Sequence, residues 1–570
     1  MIRGAIAHMP DSRWCWCTRP GRFLFRLQTG RDDIVHVRLH ARDKYIPLKF
    51  LDTRTVTDMR LAARDDCHDY FEVELTIDVV CLRYFFELED KEGNILYYSN
   101  CRFLKDPPED IDRMYDLPQT LRETERFTVP RWAANKVVYQ VFPSRFASSQ
   151  PVSPSRWYKA PMDARTDLKG DLKGISQHLD HLKELGVDVL YMTPIFRSKS
   201  THKYDTIDYY QIDPSFGTTQ DLTDLVEKAH AMGLRVVLDA VFNHTAPEFF
   251  AFEDLEKNWP HSPYRNWYYA SERPKRPLLP FRKPNYKSFA YFGGMPKLNM
   301  DNEETANYFI DVALYWLRTA KIDGWRLDVG DEVSHYFWRK YRSAVKAEFP
   351  DALIVGEVWH YAADFLQGDT WDSVMNYPFL NAVMDFVATG EISPSEFLDQ
   401  LGFLRGNLNT ACIPVLWNLL DSHDTPRALH RCAEDKEKLK VMAALQLLLP
   451  GMPFIYYGDE VGMTGGRDPD CRRGMLWDEA RQDRALFRYY QRLIAIRKAF
   501  PILTELPPDE VTTDDDSGLL CLRFGDLTLL FHAGKAPLPL PQYTGSQDLL
   551  TGSPFGGILS PYQAAVLQTP

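Results

Sequence analysis

The sequence lacks the features of a membrane protein and of a nucleic-acid-binding protein. It contains no run of about 18 or more apolar residues, the length that a helix needs to cross a bilayer. Residues 1–20 carry four charged side chains and no apolar stretch of signal-peptide length. Basic residues are not in excess either, since 67 Lys and Arg stand against 79 Asp and Glu, whereas phosphate binding needs a basic face. We therefore expect a cytoplasmic protein with no membrane or nucleic-acid partner.

Cysteine is scarce, with nine residues among 570. Cys15 and Cys17 are two positions apart, which places both on one face of a strand. A zinc-type site would need a second Cys or His pair nearby, and the sequence shows none clearly, so we expect buried or half-exposed thiols. The chain is 45% hydrophobic and 26% charged, an ordinary globular balance that at this length predicts about two to four domains.

The two ends of the chain predict β-sandwiches. Within residues 1–120, segments 23–27, 34–39 and 71–75 alternate apolar and polar residues or carry β-branched runs, and turn-forming residues separate them. Such strands are typical of an antiparallel sandwich. Short apolar strands return after residue 500 and predict a smaller C-terminal sandwich over residues 501–570.

The middle of the chain, residues 121–500, predicts an α/β fold, a (β/α)₈ TIM barrel. Eight apolar segments of strand length alternate with mostly helical segments; they are residues 137–139, 187–191, 235–239, 324–328, 353–357, 373–376, 414–419 and 454–457. Eight such units match a barrel, while periodicity alone leaves a doubly wound open sheet as the alternative. The longest interruption, about residues 245–300 after the third strand, predicts an inserted domain B.

Acidic residues stand where several predicted strands end. Asp239 ends the third strand, Asp328 the fourth and Glu357 the fifth, and Asp424 follows the seventh. Because catalytic groups of such barrels sit at the carboxyl ends of the strands, we expect these side chains to converge on one mouth. A pair of carboxylates there predicts glycoside hydrolysis, by a retaining mechanism if the two are about 5–5.5 Å apart.

Metal-dependent hydrolysis is the competing use of such a cluster. His244 and His423 are the candidate ligands. No third ligand at metal spacing is obvious in the sequence, so we predict no metal at this position.

Several segments carry a specific resemblance. Residues 239–244 (DAVFNH), 324–328 (GWRLD), 356–360 (GEVWH) and 422–425 (SHDT) occur in this order and resemble the four signature regions of the α-amylase family, glycoside hydrolase family 13. Residues 295–299 (MPKLN) resemble the extra motif of its neopullulanase, cyclomaltodextrinase and maltogenic amylase branch. The resemblance covers nearly the whole chain. It implies a starch-binding-like N-terminal sandwich that pairs two protomers into a homodimer.

The resemblance implies retaining hydrolysis of α-1,4 bonds in cyclodextrins and maltooligosaccharides, with pullulan and starch as further candidate substrates. Asp328 would be the nucleophile, Glu357 the acid and then the base, and Asp424 the group that stabilises the transition state. From the residues themselves, we expect Arg326 to keep Asp328 ionised, because an adjacent cation favours a carboxylate. The apolar residues after Glu357 are expected to raise its pKa.

The resemblance also implies a set of residues that bind the sugar chain. These are Tyr204 as a stacking platform, His244 and His423 as hydrogen-bond donors, Asp468 and Arg472 as a donor-side clamp, Arg326 beside the nucleophile, and Trp359 and Glu332 on the acceptor side.

Two departures from the branch pattern affect these expectations. Residues 329–332 are Val-Gly-Asp-Glu, where the branch commonly has Val-Ala-Asn-Glu, so the acceptor-side contacts change. Residues 147–153 replace an Asn- and Asp-rich loop that often binds calcium, although Asp171 remains. Since calcium needs several oxygen ligands, we predict no calcium at this loop and no required cofactor.

Two other activities stay open. An α-glucan transglycosylase of the same family is the first, since water and a sugar hydroxyl compete for one covalent intermediate. A non-catalytic carbohydrate-binding relative is the second, and the presence of all three carboxylates argues against it.

Overall fold

The computed structural model describes residues 1–11, 13–46, 54–109, 113–117, 126–164, 166–277 and 283–569. These residues form two compact units. The first contains residues 1–128, 363–369 and 395–413, and the second contains residues 129–362, 370–394 and 414–570. The domain limit predicted at residue 120 lies outside the described residues.

The first unit contains an antiparallel β-sandwich. Its strands are β1 (Cys15–Arg19), β2 (Arg22–Gly30), β3 (Ile34–Asp43), β4 (Thr55–Arg64), β5 (His68–Thr76), β6 (Leu82–Asp90), β7 (Ile95–Ser99), β8 (Arg102–Leu104) and β9 (Tyr115–Asp116). Strand β4 pairs with β3 through its first half and with β5 through its second half. One core cluster joins Phe25 and Leu27 of β2 to Leu39 of β3 and Phe86 of β6. The two halves therefore pack face to face, which confirms the predicted sandwich.

The second unit is built around a closed parallel barrel. Its strands are β10 (Val138–Val141), β11 (Val189–Met192), β14 (Arg235–Ala240), β15 (Gly324–Leu327), β16 (Leu353–Gly356), β17 (Ser373–Val374), β18 (Trp417–Leu419) and β19 (Met452–Tyr456), with the hairpin β12 (Phe196–Ser198) and β13 (Thr206–Ile212) outside the ring. The order is β17-β16-β15-β14-β11-β10-β19-β18. A parallel bridge between Met375 and Trp417 joins the first strand of this order to the last. The ring is closed, so the open-sheet alternative is wrong.

Helices lie between most of the barrel strands along the chain, although the helix over residues 394–407 belongs, apart from its first residue, to the first compact unit. They are α1 (Pro143–Phe146), α2 (Pro154–Trp157), α3 (Leu172–Gln177), α4 (Leu179–Leu185), α5 (Thr219–Ala231), α6 (Phe250–Asn258), α7 (Glu303–Thr319), α8 (His335–Glu348), α9 (Tyr377–Val383), α10 (Pro394–Asn407), α11 (Ala428–Arg431), α12 (Lys436–Leu448), α13 (Arg484–Ala499) and α14 (Ile502–Glu505). Local sequence sets their ends. In α5, Thr218 and Asp221 form a reciprocal capping box, and Gly233, at φ 80°, lies just beyond the C-cap.

The C-terminal residues form a second small sandwich. Its strands are β20 (Glu510–Asp514), β21 (Leu519–Phe524), β22 (Leu527–His532), β23 (Leu538–Pro539), β24 (Gln547–Asp548), β25 (Ser553–Pro554), β26 (Ile558–Leu559) and β27 (Gln563–Gln568). Six of them form one sheet, and β23 pairs with β26 in another. Buried Leu519, Leu530 and Leu559 connect the two sheets in one cluster.

All nine cysteines are free thiols. Cys15 and Cys17 are both buried in the core of the first sandwich. Within the ranges that the structure describes, no helix combines the length and apolar character that crossing a membrane demands.

Candidate active site

A cavity of about 530 Å³ lies where the barrel strands end. The predicted residues that line it are Tyr204, His244, Asp328, Glu332, Glu357, Trp359, Asp424, Asp468 and Arg472. Arg326 and His423 are fully buried and are not part of this lining. The cavity is also lined by residues that the sequence analysis did not assign to binding, namely His202, Phe289, Met295, Val329 and Asp331. Met295 lies in the MPKLN motif, and Val329 and Asp331 lie in the 329–332 segment, so the sequence did carry a signal for these three.

A buried guanidinium holds the acidic groups together. Strands β14 and β15 place Asp239 directly opposite Arg326. One terminal nitrogen of Arg326 lies 2.9 Å from Asp239 Oδ2 and 3.0 Å from Asp328 Oδ1. The other terminal nitrogen lies 2.7 Å from Glu357 Oε2. Because each carboxylate lies near or just beyond the carboxyl end of a different neighbouring strand, the parallel register itself produces this cluster.

The ionisation of Asp328 differs from the expectation. Burial raises the pKa of Asp328 well above the ordinary range, Arg326 opposes this, and the charges of Glu357 and Asp239 add to it. Burial likewise raises the pKa of Asp239 to about 6. Arg326 favours the ionised form, as expected, but one guanidinium contacts three largely buried carboxylates, and burial outweighs its effect, so the pKa of Asp328 is raised rather than lowered.

Two N–H groups orient the carboxylate of Glu357 by hydrogen bonds. The backbone N–H of Val329 donates to Oε2 at 2.9 Å, and the indole N–H of Trp359 donates to Oε1 at 3.0 Å. Trp359 is half exposed and stacks on Tyr377 with ring centroids 4.4 Å apart. The flank that the sequence predicted as apolar therefore supplies a polar contact as well.

Another wall of the cavity is built around Asp424. Arg472 lies 3.0 Å from Asp424 Oδ1 and 2.9 Å from Asp468 Oδ1, so one guanidinium bridges the two carboxylates. His423 lies behind this wall, with Nε2 2.5 Å from the hydroxyl of Tyr204 and 3.0 Å from Asp424 Oδ2. The rings of Tyr204 and His423 stack at 5.5 Å and 4°.

The two histidines differ in their exposure to the cavity. Burial lowers the pKa of His423 well below its usual value, so it is neutral and supports Tyr204 and Asp424 from behind. Burial lowers the pKa of His244 to about 3, and its ring stacks on Phe289 at 5.1 Å. His244 Nε2 is buried without a hydrogen-bond partner among the residues whose positions are described. A sugar hydroxyl in the cavity could supply that partner.

The calcium prediction concerns a different loop. Asp171 caps helix α3, accepting a hydrogen bond from the N–H of Gly174 at 2.6 Å. Its carboxylate also accepts the N–H of Ser149 at 3.2 Å and the hydroxyl of Ser149 at 2.6 Å. Protein donors therefore already contact both oxygens of this carboxylate, whereas a calcium ion needs several oxygen ligands. Across the described part of the chain, no group of three His, Cys, Asp or Glu side chains is arranged to hold a metal.

Comparison with known proteins agrees with this geometry. Residues 140–481 match the family profile described as the α-amylase catalytic domain, and residues 1–120 match the α-amylase N-terminal ig-like domain. The chain is 41% identical to a cyclomaltodextrinase from Geobacillus thermopakistaniensis (strain MAS1), over 97% of this chain and 96% of that one. It is 40% identical to neopullulanase 2 from Thermoactinomyces vulgaris, over 88% of this chain and 86% of that one.

A solved structure extends the likeness to the whole chain. A cyclomaltodextrinase superposes with a TM-score of 0.89 at 36% identity, covering 100% of this chain and 98% of that one. The chain therefore belongs to the α-amylase family of glycoside hydrolases, in the branch that contains cyclomaltodextrinases, neopullulanases and maltogenic amylases.

Proposed function

We propose that the protein hydrolyses α-1,4-glucosidic bonds of cyclodextrins and short maltooligosaccharides with retention of configuration, with pullulan or starch as further candidate substrates. The observation that carries this proposal is the single guanidinium of Arg326 that holds both Asp328 and Glu357 at the floor of one cavity. The names of the cyclodextrin- and pullulan-degrading relatives support the substrate class.

The reaction proceeds in two displacements. Asp328 Oδ attacks the anomeric carbon while Glu357 gives its proton to the departing glycosidic oxygen, which breaks the C–O bond and leaves a glycosyl ester on Asp328. The ionised Glu357 then takes a proton from water, whose oxygen attacks the same carbon and frees Asp328. Asp424, held by Arg472, accepts hydrogen bonds from sugar hydroxyls and stabilises the positive charge of the transition state.

The proposal is tested by incubating the protein in parallel with β-cyclodextrin, pullulan and starch. We expect β-cyclodextrin to be consumed fastest, with products released first as the α-anomer in NMR spectra. Products longer than the substrate, formed when a sugar acceptor is added, would favour the transglycosylase alternative. Binding without any new reducing end on all three substrates would contradict the proposal and favour a non-catalytic protein.

We also propose that catalysis needs no calcium. The hydrogen bonds that Asp171 accepts from Ser149 and Gly174 support this proposal, and EDTA is expected to change neither the rate nor the melting temperature. Both are measured before and after chelation, with added calcium as the control. A large fall in melting temperature that calcium reverses would refute this prediction.

A homodimer and a cytoplasmic location complete the proposal. The dimer rests on the resemblance of the N-terminal sandwich to the branch. The location is supported by a Bacillus subtilis (strain 168) relative, 37% identical over 87% of this chain, that is named intracellular maltogenic amylase.

A further inference from the structure

Lys297, in the MPKLN motif, has no role in the reaction described above. It lies where the inserted segment returns to the barrel, and its backbone forms an antiparallel bridge with His244. The next residue, Leu298, donates its N–H to the carbonyl of Asn243 at 3.0 Å. The backbone of Lys297 is thus fixed beside the end of strand β14, and its side chain is 20% exposed.

The ammonium group of Lys297 joins two loops of the active site. It donates to Asn243 Oδ1, in the loop after β14. It also donates to the carbonyl of Glu332 at 2.8 Å and lies 3.7 Å from Glu332 Oε2. Asn243 Nδ2 donates to the same carboxylate at 3.2 Å. Lys297 therefore fixes both the backbone and the side chain of Glu332.

Glu332 ends a turn that begins in a strained conformation. Val329 has φ 47°, a left-handed value that is rare for a β-branched residue. Such strain persists only where the surroundings enforce it. The N–H of Glu332 bonds to the carbonyl of Val329 at 3.2 Å, and the N–H of Gly330 bonds to the carbonyl of Glu357 at 3.2 Å. The strained Val329 is the residue whose N–H reaches the carboxylate of Glu357.

We propose that Lys297 is a positioning residue for the acid–base group. Its ammonium holds the far end of the 329–332 turn, which keeps Val329 in the conformation that directs its N–H at Glu357 Oε2, and it orients Glu332 on the acceptor side of the cavity. The inference rests on the proposed function, since it assigns to Lys297 a task in the step that Glu357 performs.

The test compares Lys297→Met with the unaltered enzyme on two substrates. A natural maltooligosaccharide has a poor leaving group and needs a well-placed acid, whereas maltosyl fluoride needs little protonation on departure. Small misplacements of catalytic groups lower rates by up to about 10²-fold. The rate of the first displacement on the oligosaccharide is therefore expected to fall about 10- to 100-fold. The initial burst of fluoride from maltosyl fluoride is expected to fall far less.

The controls separate this role from a structural one. Lys287→Met, at an exposed position in the same inserted segment, is expected to behave as the unaltered enzyme on both substrates. Lys297→Arg, which keeps the charge, is expected to recover part of the lost oligosaccharide rate. If Lys297→Met fails to fold in thermal melts, Lys297→Gln provides the same comparison. Equal losses on both substrates, or no loss, would overturn the inference, whereas inactivity of the unaltered enzyme on oligosaccharides would instead refute the proposed function.

Discussion

The variant Glu357→Gln is expected to lose hydrolysis of natural glucans by at least about 10²–10⁴-fold, the usual contribution of general acid–base catalysis. The amide cannot donate the carboxyl proton to the leaving oxygen. It keeps the size of the side chain, and one amide oxygen can still accept from Trp359 or Val329. Asp328 remains able to attack, so the first displacement on maltosyl fluoride is expected to survive.

The second displacement distinguishes the two carboxylates. Glu357 is also the base that activates water, so in Glu357→Gln the glycosyl ester on Asp328 should accumulate and appear as added mass on the intact protein. Asp328→Asn is the matched control, because it retains the acid but has no nucleophile and should show neither cleavage nor the adduct. Complete loss of fluoride release in both variants, with no adduct in Glu357→Gln, would show that the roles are wrongly assigned.

The convergence of the acidic residues could be predicted from the sequence because it depends on strand register. Asp239 is the last residue but one of its parallel strand, and Asp328 and Glu357 directly follow theirs. The carboxyl ends of such strands meet at one mouth of the barrel. Position within the strand also fixes which side chains face each other, as for Asp239 and Arg326. Short-range patterns therefore sufficed for the floor of the cavity.

The rest of the cavity depends on contacts between segments distant in the chain. Phe289 reaches it from a part of the inserted segment that carries no motif, and only its proximity to Tyr204 gave a signal for His202. The sequence places His423 next to Asp424, but it does not show that the ring stacks on Tyr204 or that His423 is absent from the lining.

Electrostatic balance was the least predictable property. The pair of Arg326 and Asp328 alone suggests an ionised nucleophile. The direction in which the pKa of Asp328 shifts, however, depends on its burial and on every charged group nearby. Asp239 and Glu357 both contact the same guanidinium. No pairwise pattern in the sequence shows how strongly one cation stabilises each of three carboxylates that contact it.

This shared cation makes Arg326→Lys the most informative replacement of a residue that does not itself react. Lysine keeps the positive charge but has a single terminal nitrogen, whereas Arg326 uses two to reach Asp239, Asp328 and Glu357. Misplacing the reacting carboxylates is expected to lower kcat by about 10²-fold or more. Lysine is preferred to an apolar residue, because leaving buried charges unpaired costs about 3–5 kcal/mol of stability and would unfold part of the sample.

The pH dependence gives the sharper measurement for Arg326→Lys. A cation lowers the pKa of a neighbouring carboxyl group, so weaker contact with the cation should raise the already elevated pKa of Asp328 further. Asp328 attacks only when ionised, and the rate is therefore lost as the pH falls through that pKa. On maltosyl fluoride, which needs little acid assistance, the acidic limb of the kcat/KM profile should move to higher pH in Arg326→Lys.

Arg318→Lys, which alters an exposed ion pair with Glu348, serves as the control and should leave the acidic limb of the profile at the same pH. An acidic limb unchanged by Arg326→Lys would mean that the guanidinium does not govern the ionisation of the nucleophile.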